Sequence, residues 1–121
     1  MATLPQRVFK TKWFTRAAAD AGVSDAELCQ VARALIEGKG DNLGGNVWKK
    51  RLDRNSKRGI VINKVGRFWV FVFLFAKNDR ENISNAELAA FKDLAAGYVA
   101  MTNGQIDAAL KERKFVEIFN A

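Results

Sequence analysis

The fold of this chain is decided by residues 47–76, VWKKRLDRNSKRGIVINKVGRFWVFVFLFA. Residues 67–76 are β-branched and aromatic almost throughout and apolar on both alternating faces. That is the pattern of a central strand covered by helices on at least one side. Residues 47–53 alternate differently: Val47, Lys49 and Arg51 share one face, and Trp48, Lys50 and Leu52 the other. Residues 58–64 place Arg58, Ile60 and Ile62 on one side and Gly59, Val61 and Asn63 on the other. The polar residues 54–57 and the pair Val65-Gly66 read as turns short enough to join three strands into an antiparallel meander.

Downstream, residues 77–82 form a charged loop. Ser84 and Glu87 make a capping box for a helix bearing Leu88, Phe91, Leu94, Ala95, Tyr98 and Val99. Asn103 is expected to cap a shorter helix over residues 105–112, and residues 115–119 suit a last strand or an arm. Upstream, residues 12–21 read as a helix with Trp13, Phe14 and Ala17 on its apolar face, ended by Gly22. Ser24 and Glu27 offer a second capping box, and Leu28, Val31, Ala32, Leu35 and Ile36 then recur at helical spacing. Residues 8–10 suggest a short opening strand. Residues 39–46, with Gly40, Gly44 and Gly45, lack a phosphate-loop pattern and read as a plain turn. The sum is a single α+β domain over residues 1–121, with residues 1–7 as a disordered lead. It has an N-terminal helical hairpin, a central curved antiparallel sheet and C-terminal helices.

The charge of the chain is concentrated on the meander. The whole sequence of 121 residues carries 20 Lys and Arg against 13 Asp and Glu, a net of +7. Residues 46–80 hold ten of those bases and two of the acids, a net of +8, so the rest of the chain is close to neutral. A clustered patch points to a polyanionic partner more strongly than a diffuse excess does; the competing reading is a solvated face that keeps a small protein soluble. No apolar run approaches the roughly 18 residues of a membrane span, and residues 1–10 lack the apolar core of a secretory signal. The single cysteine, Cys29, excludes an internal disulfide and fits a reducing cytoplasm.

The chain has no histidine. Imidazole acid–base catalysis, histidine-activated nucleophiles and the usual zinc sites are therefore excluded. Chemistry must rest on Lys, Arg, carboxylates, hydroxyls, the thiol or Tyr98. The meander brings Lys49 and Arg51 to one side of the first strand, and Arg58 opens the neighbouring one. Lys77, Asn78 and Arg80 follow the third. Lys50, Arg54, Lys57 and Arg67 add charge for binding a nucleic-acid backbone. Such an arrangement suits a phosphodiester backbone, with Lys as point charge and Arg as bidentate donor. Of the aromatics Trp48, Phe68, Trp69, Phe71, Phe73 and Phe75, most read as core. Trp48, on a polar strand, is the one most open to stacking a base.

These residues resemble a known family. FKTKWF (9–14), SDAELCQVARALIEG (24–38), LGGNVWKKRL (43–52), KRGIVI (57–62), GRFWVFVFLFAKNDRENI (66–83) and ELAAFKDLAAGYV (87–99) are similar to toxins of the RelE/ParE superfamily of type II toxin–antitoxin modules, closest to the HigB-like branch. The resemblance implies a microbial RNase-like fold and a ribosome-dependent mRNA endonuclease, an mRNA interferase that inhibits translation without a metal or cofactor. It implies catalytic roles for Lys49, Arg51, Arg58, Lys77 and Asn78. Asn78 stands where RelE itself has an arginine, and residues 79–88 lack the tyrosine of RelE-like enzymes. Among cations a lysine gives up its proton more easily, which makes Lys49 the base candidate, with Arg58 stabilising charge on the phosphorane. Asp53, Asp79 and Glu81 are alternatives. The implied partners are the ribosome with its mRNA and a cognate antitoxin of helix-turn-helix type, with no membrane. Two other classes stay open: a ParE-like inhibitor of DNA gyrase, and a non-enzymatic RNA-binding module.

Overall fold

The computed structural model describes residues 7–52, 56–64, 67–80 and 82–120. The expected turns at residues 54–55 and 65–66, the lead over residues 1–6, and Asp53, Arg54 and Glu81 lie outside the described residues.

The three expected strands form: β3 (Val47–Leu52), β4 (Lys57–Lys64) and β5 (Phe68–Ala76). They pair antiparallel, with Arg51 opposite Arg58, Lys49 opposite Ile60, and Arg58 opposite Phe75. A register shift between Ile60 and Val61 lets β5 carry Val72 as an extra residue, the local kink of a β-bulge.

Three further strands make the sheet mixed rather than antiparallel, with order β2-β3-β4-β5-β1-β6. β1 (Arg7–Thr11) pairs parallel with β5, and β6 (Phe115–Asn120) pairs antiparallel with β1. Arg7 is thus strand, not disordered lead. The reason is burial: β5 is apolar on both faces, so its second edge also has to be paired, and the N-terminal strand supplies the partner. β2 (Asp41–Gly44) pairs with the start of β3 where a plain turn was expected. Gly44, Gly45 and Asn46 all have φ between 60° and 87°, the left-handed region that two-residue hairpin turns require. At Gly45 a Cβ would also meet Lys92 Cγ at 2.8 Å.

Helices cover both faces. α1 (Lys12–Ala21) starts where Thr11 Oγ1 accepts from the Phe14 N–H and stops at left-handed Gly22. α2 (Asp25–Ile36) is capped by Ser24. Their Phe14, Ala18, Leu28, Val31, Ala32 and Leu35 pack with Val8, Leu52, Val61, Trp69, Phe71 and Leu74 of one sheet face. α3 (Asn85–Val99) carries the expected Ser84/Glu87 capping box. α4 (Asn103–Lys111) is capped by Thr102 with Gln105, one residue before the expected Asn103. α3 and α4 lie on the opposite face, where Ala95, Ile106 and Ala109 meet Phe9, Val47, Ile60, Ile62, Phe68 and Val70. Among the described residues, no helix is long and apolar enough to cross a membrane.

Candidate nucleic-acid interface

Strand parity alone puts Val47, Lys49 and Arg51 on the α3 side of the sheet, and the register adds Arg58, Phe73 and Phe75 to that face. Directly opposed residues have Cβ atoms about 4.5–5.5 Å apart, so Arg51 and Arg58 hold two guanidinium groups on neighbouring strands. Arg51 is exposed, whereas Arg58 is only 8% exposed. One Nη of Arg58 donates to the Lys57 carbonyl at 3.1 Å. Like charges directly opposite each other repel, and the pair suits an anion placed between the two strands. Lys49 is half-buried on the same face. Its Nζ lies 3.9 Å from Asp41 Oδ2, the outer limit of an ion pair.

Lys77 and Asn78 sit in the exposed turn after β5, at the Arg58 end of the sheet. The Lys77 N–H donates to the Ser56 carbonyl at 2.9 Å, which ties this turn to the start of β4. The structure therefore brings all five expected catalytic residues to one end: three on a single face and two on the adjoining turn.

The expected RNA-binding residues divide. Lys50 points to the α1–α2 side with Trp48 and Leu52. It nonetheless shares a cleft of about 250 Å³ with Lys39, Gly40, Asp41, Lys49 and Arg51, where the outer edge of β3 runs past β2. Lys57 faces away from Arg58 and lines a cleft of about 500 Å³ between α1 and the end of β5, with Asp20, Asp79 and Arg80. Arg67 precedes Phe68, at the far end of β5 from Phe75, about 25 Å away along the strand. It does not join the cluster. Trp48 is half-buried with its ring edge-on to Trp69 (5.5 Å between centroids, 70°) in the α1–α2 core. As the sequence indicates, strand parity turns it away from Lys49 and Arg51.

Arg80 is more committed than a phosphate contact would be. Its guanidinium makes a bidentate pair with Glu87 (2.6 and 2.9 Å) and lies over the rings of Phe73 and Phe75 (5.3 and 5.2 Å). Glu87 also accepts from the Ser84 N–H at 2.8 Å. The Arg80 hydrogen bonds, helped by that backbone N–H, hold the Glu87 carboxyl down to about 2. In return, Glu87 raises Arg80 further above its ordinary value. One carboxylate thus closes the first turn of α3 and fastens the loop after β5 to it. Tyr98, the sole tyrosine, packs edge-on to Phe115 (5.2 Å, 87°) in the α3–α4 core, and its burial raises its pKa.

Two contributors escaped the sequence reading. Glu87 was read only as a cap residue. Trp13 was placed on the apolar face of α1, but the inward positions are Phe14 and Ala18, and Trp13 is 52% exposed. The signal was present in the spacing: Phe14 and Ala18 lie four residues apart and mark the buried stripe, one position out of phase with Trp13.

The chain matches the sequence model of the RelE toxin of the RelE/RelB toxin–antitoxin system over residues 6–118. No curated protein and no solved structure matches it. A match that spans nearly all of the chain, from β1 to β6, carries the conclusion: this protein belongs to the RelE family of toxin–antitoxin toxins.

Proposed function

We propose that the chain is a ribosome-dependent mRNA endonuclease of the HigB-like branch. On this reading it arrests translation in the cytoplasm until a cognate helix-turn-helix antitoxin neutralises it. A toxin of this family has an antitoxin as its partner. The observation that carries the enzymatic reading is the direct opposition of Arg51 and Arg58 on a face shared with Lys49. Cations gathered on one face are what a phosphodiester needs. The same reading includes a helical hairpin at the N-terminus and the curved sheet of the microbial RNase type.

In this mechanism the ribose 2′-oxygen attacks the adjacent phosphorus. The bond from phosphorus to the 5′-oxygen then breaks and that oxygen takes a proton from water, leaving a 2′,3′-cyclic phosphate and a 5′-hydroxyl. Lys49 takes the proton of the 2′-hydroxyl. Arg58 and Arg51 meet the charge that builds on the equatorial oxygens of phosphorus, Arg58 from a buried position and Arg51 from an exposed one. Lys77 and Asn78 hold the flanking backbone from the turn, and neutral Asn78 does so by hydrogen bonding alone.

The test is purified protein added to ribosomes programmed with a defined mRNA. Cuts in ribosome-bound mRNA are expected, and Lys49→Ala and Arg58→Ala should each abolish them while leaving the circular dichroism spectrum intact. Full cleavage by both variants overturns the assignment. Loss of gyrase supercoiling with intact mRNA would replace it with the ParE-like alternative.

A further inference from the structure

Trp13 is exposed and yet held in place. Its indole lies on the Phe73 ring, with centroids 5.1 Å apart and planes at 24°. Phe73 is fixed in turn by Phe91 (5.6 Å), by Phe75 (6.1 Å) and by the Arg80 guanidinium above it. Beyond Phe75 comes Arg58, its cross-strand neighbour. A continuous row thus runs from Trp13 through Phe73 and Phe75 to the paired arginines. On its outer side Trp13 shares an open cleft of about 920 Å³ with Lys12, Arg16, Thr15, Ala19 and Asp20.

We propose that Trp13 is a stacking platform for an unpaired RNA base, occupied when the backbone of the same strand lies on Lys49, Arg51 and Arg58. The proposal rests on the RNA-directed reading above. Every base has a π face, and indole offers the widest surface for it. Because Phe73 already immobilises the ring, stacking on it costs little further side-chain entropy. Lys12 and Arg16 flank the ring with the charge that phosphates need. Asp20, the one carboxylate among the described residues of this cleft, disfavours phosphate at the opposite end and gives the strand a direction.

The test is binding of a short fluorescein-labelled single-stranded oligoribonucleotide, followed by anisotropy for wild type, Trp13→Ala, Trp13→Phe and Arg58→Ala, and in addition by tryptophan fluorescence for wild type. Trp69 is buried and Trp48 half-buried against it, so quenching by a stacked base reports Trp13. Trp13→Ala should bind about tenfold more weakly, with an unchanged salt slope because no phosphate contact is lost. Trp13→Phe should retain most of the affinity, and an abasic oligomer should bind wild type as weakly as the normal one binds Trp13→Ala. Wild-type affinity in Trp13→Ala, no binding by wild type, or loss of antitoxin binding with RNA binding kept would each overturn the proposal. The last of these would make Trp13 a protein contact. If wild type binds RNA through Trp13 but cuts no mRNA on ribosomes, the platform stands and the endonuclease reading falls. If Arg58→Ala abolishes cleavage while Trp13→Ala leaves RNA affinity unchanged, the platform alone fails.

Discussion

Along β4 the residues facing α3 change character within one turn of the pleat. Ile60 and Ile62 are fully buried, and Arg58, two residues earlier on the same side, is 8% exposed. Burial is nearly equal and the chemistry opposite. One end of this face is closed by α3 and α4 over Phe9, Val47, Ile62 and Val70. The other end offers cations and half-buried aromatics next to solvent. The difference teaches a division of labour on a single surface: the apolar end holds the sheet and helices together, and the cationic end gathers positive charge beside solvent.

The comparison breaks most sharply at Ile62. Ile62→Ala should lower the unfolding free energy by about 2–5 kcal/mol, measured by urea denaturation, while the protein that remains folded cuts mRNA at the wild-type rate. A full loss of activity in the folded fraction would show that the two ends are not separable. Arg58→Leu tests the other end. Cleavage should fall by about 10²–10³-fold, and the urea midpoint should move far less than in Ile62→Ala. A destabilisation as large as that of Ile62→Ala would mean that Arg58 serves the fold instead.

The smallest effect concerns the fastening of Arg80 to Glu87. The Glu87 carboxyl is held at about 2, below its ordinary 4.5. A depressed carboxyl stabilises the folded state above its unfolded value, and that stabilisation is lost as pH falls towards the folded value. Wild type should therefore melt above Glu87→Gln at neutral pH, with the gap closing between roughly pH 4.5 and pH 2. A gap independent of pH would deny that the ionised pair is the cause.

Much of this was legible in the sequence, and what was not has physical reasons. The period-two pattern of residues 47–76 was enough to place the meander. The faces of its strands then put Lys49, Arg51 and Arg58 on one side. Strand order is not written locally, so nothing in residues 7–11 announces parallel pairing with β5. β2 was hidden because Gly44, Gly45 and Asn46, the residues that make the hairpin possible, also read as loop. Trp48 and Lys50 sit one position out of phase with Lys49, and one position is a whole face of the sheet. Trp13 was misplaced by one position: the buried stripe runs through Phe14 and Ala18, with Ala17 packed at its margin, and so short a helix gives few repeats to fix its centre. Thr102 and Asn103 are both good caps, and the structure uses the first.

The position of β1 between β5 and β6 has a consequence for how the protein comes into being. The bidentate bond from Arg7 to Glu117 joins residues 110 positions apart. A growing chain that has reached Ala76 can zip β3, β4 and β5 together through short loops, which is the fast kind of closure. β1, made first, must wait: β5 gives it one neighbour, and its other edge stays bare until synthesis has passed Glu117. Of the strands described, the first in sequence is thus the last to be paired on both sides.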